Sequence, residues 1–99
     1  QGHMAFFENR YAIKGLYLLD EPENALSPEK QIELAILLKN FSKQGHAQFI
    51  IATHSPILMA IPNATIYSFD SDCISEIAYT DTSHYKVYKD FMNNYKEYM

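Results

Sequence analysis

The chain has 99 residues, enough for one small domain or for part of a larger one. Its apolar fraction of 47% excludes a disordered chain, and its net charge of −4, with eight scattered basic residues, offers no basic stripe for nucleic acid. Cys73 is the single cysteine, which excludes an internal disulfide and fits a reducing cytosol. No apolar run nears the ~20 residues that span a bilayer and no signal peptide is evident, so a cytoplasmic location is expected.

In chain order, Gln1-Gly2-His3-Met4 reads as an expression-tag remnant and is set aside, leaving 5–99 as the fold. "AFFENRY", residues 5 to 11, has helical spacing but begins abruptly, as if cut from a longer helix. Gly15 breaks that pattern. Leu16 to Leu19 then form a wholly apolar strand, and a strand without polar alternation is expected to be buried on both faces, as in a parallel sheet. Asp20 and Glu21 follow it directly.

Ser27 is a good helix cap and Pro28 suits the first helical turn. The helix is expected to run to about Gln44, with Leu34, Leu37, Leu38 and Phe41 on one face and Gly45 closing it. "AQFIIATH", residues 47 to 54, reads as a second buried strand, which completes a βαβ unit with a right-handed crossover. Ser55 and Pro56 start a short helix that stops near Pro62. "ATIYSFD" and "CISEIAY" read as two further strands joined by the turn Asp70-Ser71-Asp72. The tail from Thr82 to Met99 has helical spacing, with Tyr85, Tyr88, Phe91, Met92, Tyr95 and Tyr98 clustering on one side.

In a parallel sheet, ligands bind at the edge shared by the C-terminal strand ends. Asp20-Glu21 closes the first strand and His54 the second, so neighbouring strands would bring the acids and the histidine into one small volume. One carboxylate there can hold Mg²⁺, usually through water, and the other can deprotonate a water for in-line attack on phosphorus. A histidine facing them can hydrogen-bond the transferred phosphoryl group. An arbitrary DE pair is ordinarily a solvated turn, and a lone strand-end histidine is ordinarily bonded to backbone. The apolar run before this pair, Pro22 after it, and the "FIIAT" and "SP" flanks of His54 favour the functional reading. The aromatic tail reads as packing rather than a base-stacking platform, Asp70 and Asp72 as turn formers, and Cys73 as inert.

"LYLLDEPENALSP" followed, after one helix, by "FIIATHSP" strongly resembles the C-terminal half of ATP-binding-cassette (ABC) ATPases over residues 5 to about 70. The resemblance implies that Leu16 to Asp20 are a Walker B strand, with Asp20 supporting Mg²⁺ and Glu21 as the catalytic glutamate. It implies that Asn24, Ala25, Leu26 and Ser27 are the D-loop, which faces a partner subunit, and that His54 is the switch histidine that senses the γ-phosphate. Many transporter ATPases end the D-loop with Asp, where this chain has Ser27. "DEPENALSP" and "THSP" look more like soluble SMC/RecF-like ATPases and "AAA family" ATPases of the ABC type.

A phosphate loop G-x-x-x-x-G-K-[ST] needs two glycines five positions apart, and the chain has only Gly2, Gly15 and Gly45. The family's serine-glycine signature is absent too. The fold implied is therefore α/β and an incomplete P-loop NTPase of the ABC type: parallel strands with flanking helices, then a C-terminal hairpin and helix. In the complete ABC fold the Walker A strand would lie between the His54 strand and the strand at Ala64 to Phe69. Its absence leaves unpaired edges, from which a dimer or higher oligomer is expected.

The function implied is ATP binding and hydrolysis with Mg²⁺, incompetent in this chain alone. Nucleic acid stays open as a partner of the parent protein. Two other classes stand beside this: an inactive interaction or dimerisation module with the same fold, and an Mg²⁺-dependent phosphoesterase using Asp20, Glu21, Asp70 and Asp72.

Overall fold

The computed structural model describes residues 14–99, so the tag remnant and the helix expected over residues 5–11 lie outside the described residues. The chain divides into two compact units, one ending at Pro62 and the other spanning Asn63–Met99.

The first unit is the βαβ element. Strand β1 (Gly15–Asp20) leads through a tight loop to helix α1 (Pro28–Gln44), and β2 (Ala47–Ala52) returns parallel to β1. The register runs from Gly15 opposite Ala47 to Asp20 opposite Ala52, so the two strands start and finish flush. Helix α1 begins where its cap dictates: the Ser27 hydroxyl accepts the Lys30 N–H at 3.2 Å, and Pro28 supplies the fixed φ of the first turn. It ends at Gly45, whose φ of 83° is left-handed and whose N–H donates to the Ser42 carbonyl at 3.1 Å.

One face of the two-stranded sheet is covered. Tyr17 and Leu19 of β1 and Phe49 and Ile51 of β2 pack with Ala35 and Phe41 of α1 against a buried cluster of Leu26, Leu34, Leu38 and Leu58. Leu34 is fully excluded from solvent. Tyr17 and Phe49, directly opposite in the register, stack with ring centroids 5.5 Å apart. Leu58 belongs to a single 3₁₀ turn, Leu58–Ala60, which lies within the short helix expected from Ser55 and Pro56 to near Pro62.

The other face is open, which corrects the expectation of strands buried on both sides. Leu18 is 72% exposed, and Leu16 and Ile50 are exposed beside it. Among the described residues of this unit, α1 and the Leu58 turn both lie on the Tyr17–Leu19 side, so the alternation of the pleat leaves Leu16, Leu18 and Ile50 uncovered.

The second unit opens with a hairpin, β3 (Ile66–Ser68) antiparallel to β4 (Ser75–Ile77), shorter than the sequence suggests. Phe69 to Ile74 form a wide connection, not a tight turn: the Ser68 hydroxyl accepts the Asp70 N–H, and the Ser71 hydroxyl donates to the Cys73 carbonyl. A 3₁₀ turn, Tyr79–Asp81, leads into α2 (Ser83–Tyr98), capped by Thr82, whose hydroxyl accepts the Tyr85 N–H at 3.1 Å. Helical geometry is interrupted at Asn94 (φ −137°, ψ 30°). Of the residues expected to cluster on one side of the tail, Phe91 contacts Tyr95 and Tyr98, and Tyr85 contacts Tyr79 of the preceding turn. The helix buries none of them, and Tyr88, Met92, Tyr95 and Tyr98 are exposed, which corrects the expectation that this side is packed. No helix among the described residues is long and apolar enough to cross a membrane.

Candidate functional site

The flush ends of β1 and β2 build the site. Asp20 is the last residue of β1 and lies opposite Ala52, the last of β2; adjacent strands sit about 4.8 Å apart. The next residue, Glu21, donates its N–H to the Ala52 carbonyl at 2.7 Å, extending the pairing by one bond before the chain turns away. Asp20, Glu21 and His54, singled out from sequence, thus occupy one sheet edge, and all three are exposed. Asp20 shares the open face of the sheet with Leu18.

The turn is abrupt because Glu21 has a left-handed backbone, φ 47°, a conformation that costs an ordinary L residue about 1–2 kcal/mol. Ala25 is left-handed too, at φ 67°. Between them the backbone closes on itself: Asn24 N–H donates to the Glu21 carbonyl at 3.1 Å, and Leu26 N–H to the Glu23 carbonyl at 2.9 Å. Strain concentrated in one loop is typical of sites where orientation matters more than local stability.

Two side chains bind this loop to the segment after β2. The Glu23 carboxylate accepts the Thr53 hydroxyl at 2.6 Å through one oxygen and the His54 N–H at 3.1 Å through the other. Thr53 Oγ1 also accepts the Ser55 N–H at 2.9 Å. On the inner side, the Gln31 amide donates to the Leu26 carbonyl at 3.1 Å and accepts the Ser55 hydroxyl at 2.6 Å. Ser55 Oγ in turn accepts the Leu58 N–H at 3.2 Å. Among the described residues, no buried side-chain polar atom lacks a partner.

Of the four residues read as a D-loop, Asn24, Ala25 and Ser27 are exposed, while the Leu26 side chain is buried in the core at 9% exposure. The leucine anchors the loop, and Ser27 is engaged as the cap of α1. Sequence reasoning did not find Glu23, Gln31, Thr53 or Ser55. The bonds by which they tie the two segments together join positions 24 to 31 residues apart, which no local spacing rule registers; the only local hint was a third acid, Glu23, in a loop already holding two.

Among the described residues, no three His, Cys, Asp or Glu side chains are grouped so as to hold a metal ion by themselves. The donor set suits Mg²⁺ in another way, since that ion keeps several waters and takes only one or two carboxylates besides substrate phosphates. A strand-end carboxylate such as Asp20, exposed at the sheet edge with Glu21 beside it, fits that demand. Asp70 and Asp72, the other two acids of the phosphoesterase alternative, belong to the second unit, in the connection between β3 and β4.

A family model described as "AAA domain, putative AbiEii toxin, Type IV TA system" matches residues 9–60. That span takes in β1, the acidic loop, α1, β2 and the His54 segment. No curated protein matches the chain.

Proposed function

The chain belongs to this AAA-domain family, which places it coarsely among ATPase-type nucleotide-binding domains, and we propose that it forms the C-terminal, catalytic half of an ABC-type ATPase domain. The observation that carries the reading is the flush parallel pair of strands, whose ends put Asp20, Glu21 and His54 on one edge. In this reading residues 5–99 are one part of a larger nucleotide-binding domain.

Asp20 would hold Mg²⁺ through a water of its hydration shell; when bound, the ion neutralises charge on the β- and γ-phosphates. Glu21 orients the attacking water and accepts its proton as the oxygen bonds to the γ-phosphorus and ADP leaves. His54 donates a hydrogen bond to the γ-phosphoryl oxygens, where charge accumulates. The exposed residues of the D-loop, Asn24, Ala25 and Ser27, face a partner subunit, with Leu26 as their anchor. The phosphate cradle is not encoded in these 99 residues, so the purified chain with Mg²⁺ and ATP should release no phosphate above background. Release that disappears in the Glu21→Gln variant would overturn that division of labour.

A second reading is favoured by the open apolar face of Leu16, Leu18 and Ile50: an interaction module that keeps the fold without the activity. Both readings entail self-association. Among the described residues β1 and β2 pair only with each other, so each has a free edge.

A further inference from the structure

Three acids lie within four residues of one another at the site, Asp20, Glu21 and Glu23, and the geometry divides them. Only Glu23 has both carboxylate oxygens engaged by the histidine segment, one by the Thr53 hydroxyl and the other by the His54 backbone N–H. We propose that Glu23 is a positioning residue that latches the histidine segment to the acidic loop and so fixes where His54 stands relative to Asp20 and Glu21.

The chemistry suits a latch. A carboxylate accepts two donors at once, and charge-assisted bonds are about twice as strong as neutral ones. The first donor, Thr53, is itself fixed, because its oxygen accepts the Ser55 N–H. The second donor is the backbone of the histidine itself, so the latch sets the position of the residue while leaving its imidazole to other contacts. Among the described residues, strand pairing of β2 ends at Ala52, two residues before His54. Removing the Glu23 carboxylate deletes both of its bonds to this segment and leaves the one between Ser55 and Gln31 in place.

The inference rests on the ATPase reading for its significance, but its test does not. Amide hydrogen exchange by NMR on the 99-residue chain needs no nucleotide. In Glu23→Ala the His54 amide should exchange about tenfold faster, the loss of one modest hydrogen bond, while the amides of Leu34 and Leu38 inside α1 keep their rates. Glu23→Gln, whose neutral amide oxygen can still accept the His54 N–H, should restore part of the protection. An unchanged His54 rate in Glu23→Ala, or equal acceleration at Leu34 and Leu38, would overturn the latch.

In the complete ATPase, Glu23→Ala should lower kcat about tenfold with KM for ATP unchanged, and Glu23→Gln should recover part of it. Equal loss in both variants would also overturn the latch. The predicted exchange pattern in a protein whose ATPase ignores Glu21→Gln would leave the latch standing and remove the ATPase reading.

Discussion

Replacing Gln31 by Ala removes two hydrogen bonds at once, and the structure says what each leaves behind. The Leu26 carbonyl loses the amide 3.1 Å away, and the Ser55 hydroxyl loses its acceptor at 2.6 Å. Ser55 is only 4% exposed, so water replaces that acceptor poorly. A lost bond that strands a buried partner costs about 1–3 kcal/mol, whereas a more accessible carbonyl recovers most of its loss from water, so Gln31→Ala should cost about 2 kcal/mol. Ser55→Ala should cost about as much, because it also deprives the Leu58 N–H of its acceptor. The two variants share one bond, so the double variant should cost about 1 kcal/mol less than their sum. For 99 residues, total stability is on the order of 5–15 kcal/mol, so all three variants should leave a measurable transition. Urea unfolding followed by far-ultraviolet circular dichroism measures the cycle. Additivity within about 0.3 kcal/mol, or a single-variant cost below about 0.5 kcal/mol, would refute the bridge between the Leu26 carbonyl and the histidine segment.

Leu34→Ala empties the centre of a small core, and a fully buried leucine so truncated costs about 3–5 kcal/mol; a shift under about 1 kcal/mol in urea unfolding would contradict the packing. Ala25→Gly relieves a left-handed backbone at φ 67°, so despite the added freedom of the unfolded chain it should be neutral or stabilising by up to about 1 kcal/mol, and clear destabilisation would count against that conformation. Tyr98 donates its hydroxyl to the Asp90 carboxylate, which with slight desolvation raises its pKa above the usual 10. A raised folded pKa means this contribution is complete below pH 10 and is lost as pH climbs through the folded value. Tyrosinate absorbance should show Tyr98→Phe deleting a late-titrating phenol and Asp90→Asn bringing it back toward 10; the deletion of a phenol titrating near 10 would contradict the bond.

The parts of the fold legible in sequence were those written in short-range chemistry. Ser27, Pro28 and Gly45 mark both ends of α1, and the apolar runs before Asp20 and Thr53 mark the two parallel strands. The same runs misled on burial. Four consecutive apolar residues say that a strand is hydrophobic on both faces but not what covers each, and here one side is open at Leu16, Leu18 and Ile50. The hairpin was placed correctly but drawn too long, because Ser68 and Ser71 hydroxyls compete for backbone groups that a tighter turn would have paired. At the site, Asp20, Glu21 and His54 came from their positions at strand ends. Glu23 and Gln31 did not, since their significance lies in partners 24 to 31 residues away, and Leu26 changed meaning once the fold turned its side chain inward.

In the proposed ATPase, Glu21 activates water for attack on ATP. The most direct test of this role is single-turnover hydrolysis by the native-length protein, comparing wild type with Glu21→Gln at saturating ATP and Mg²⁺. Nucleotide binding should persist while the hydrolysis rate falls at least about a hundredfold, the contribution of a positioned general base. Hydrolysis at the wild-type rate in Glu21→Gln would contradict it and leave the chain as an interaction module on an ATPase fold.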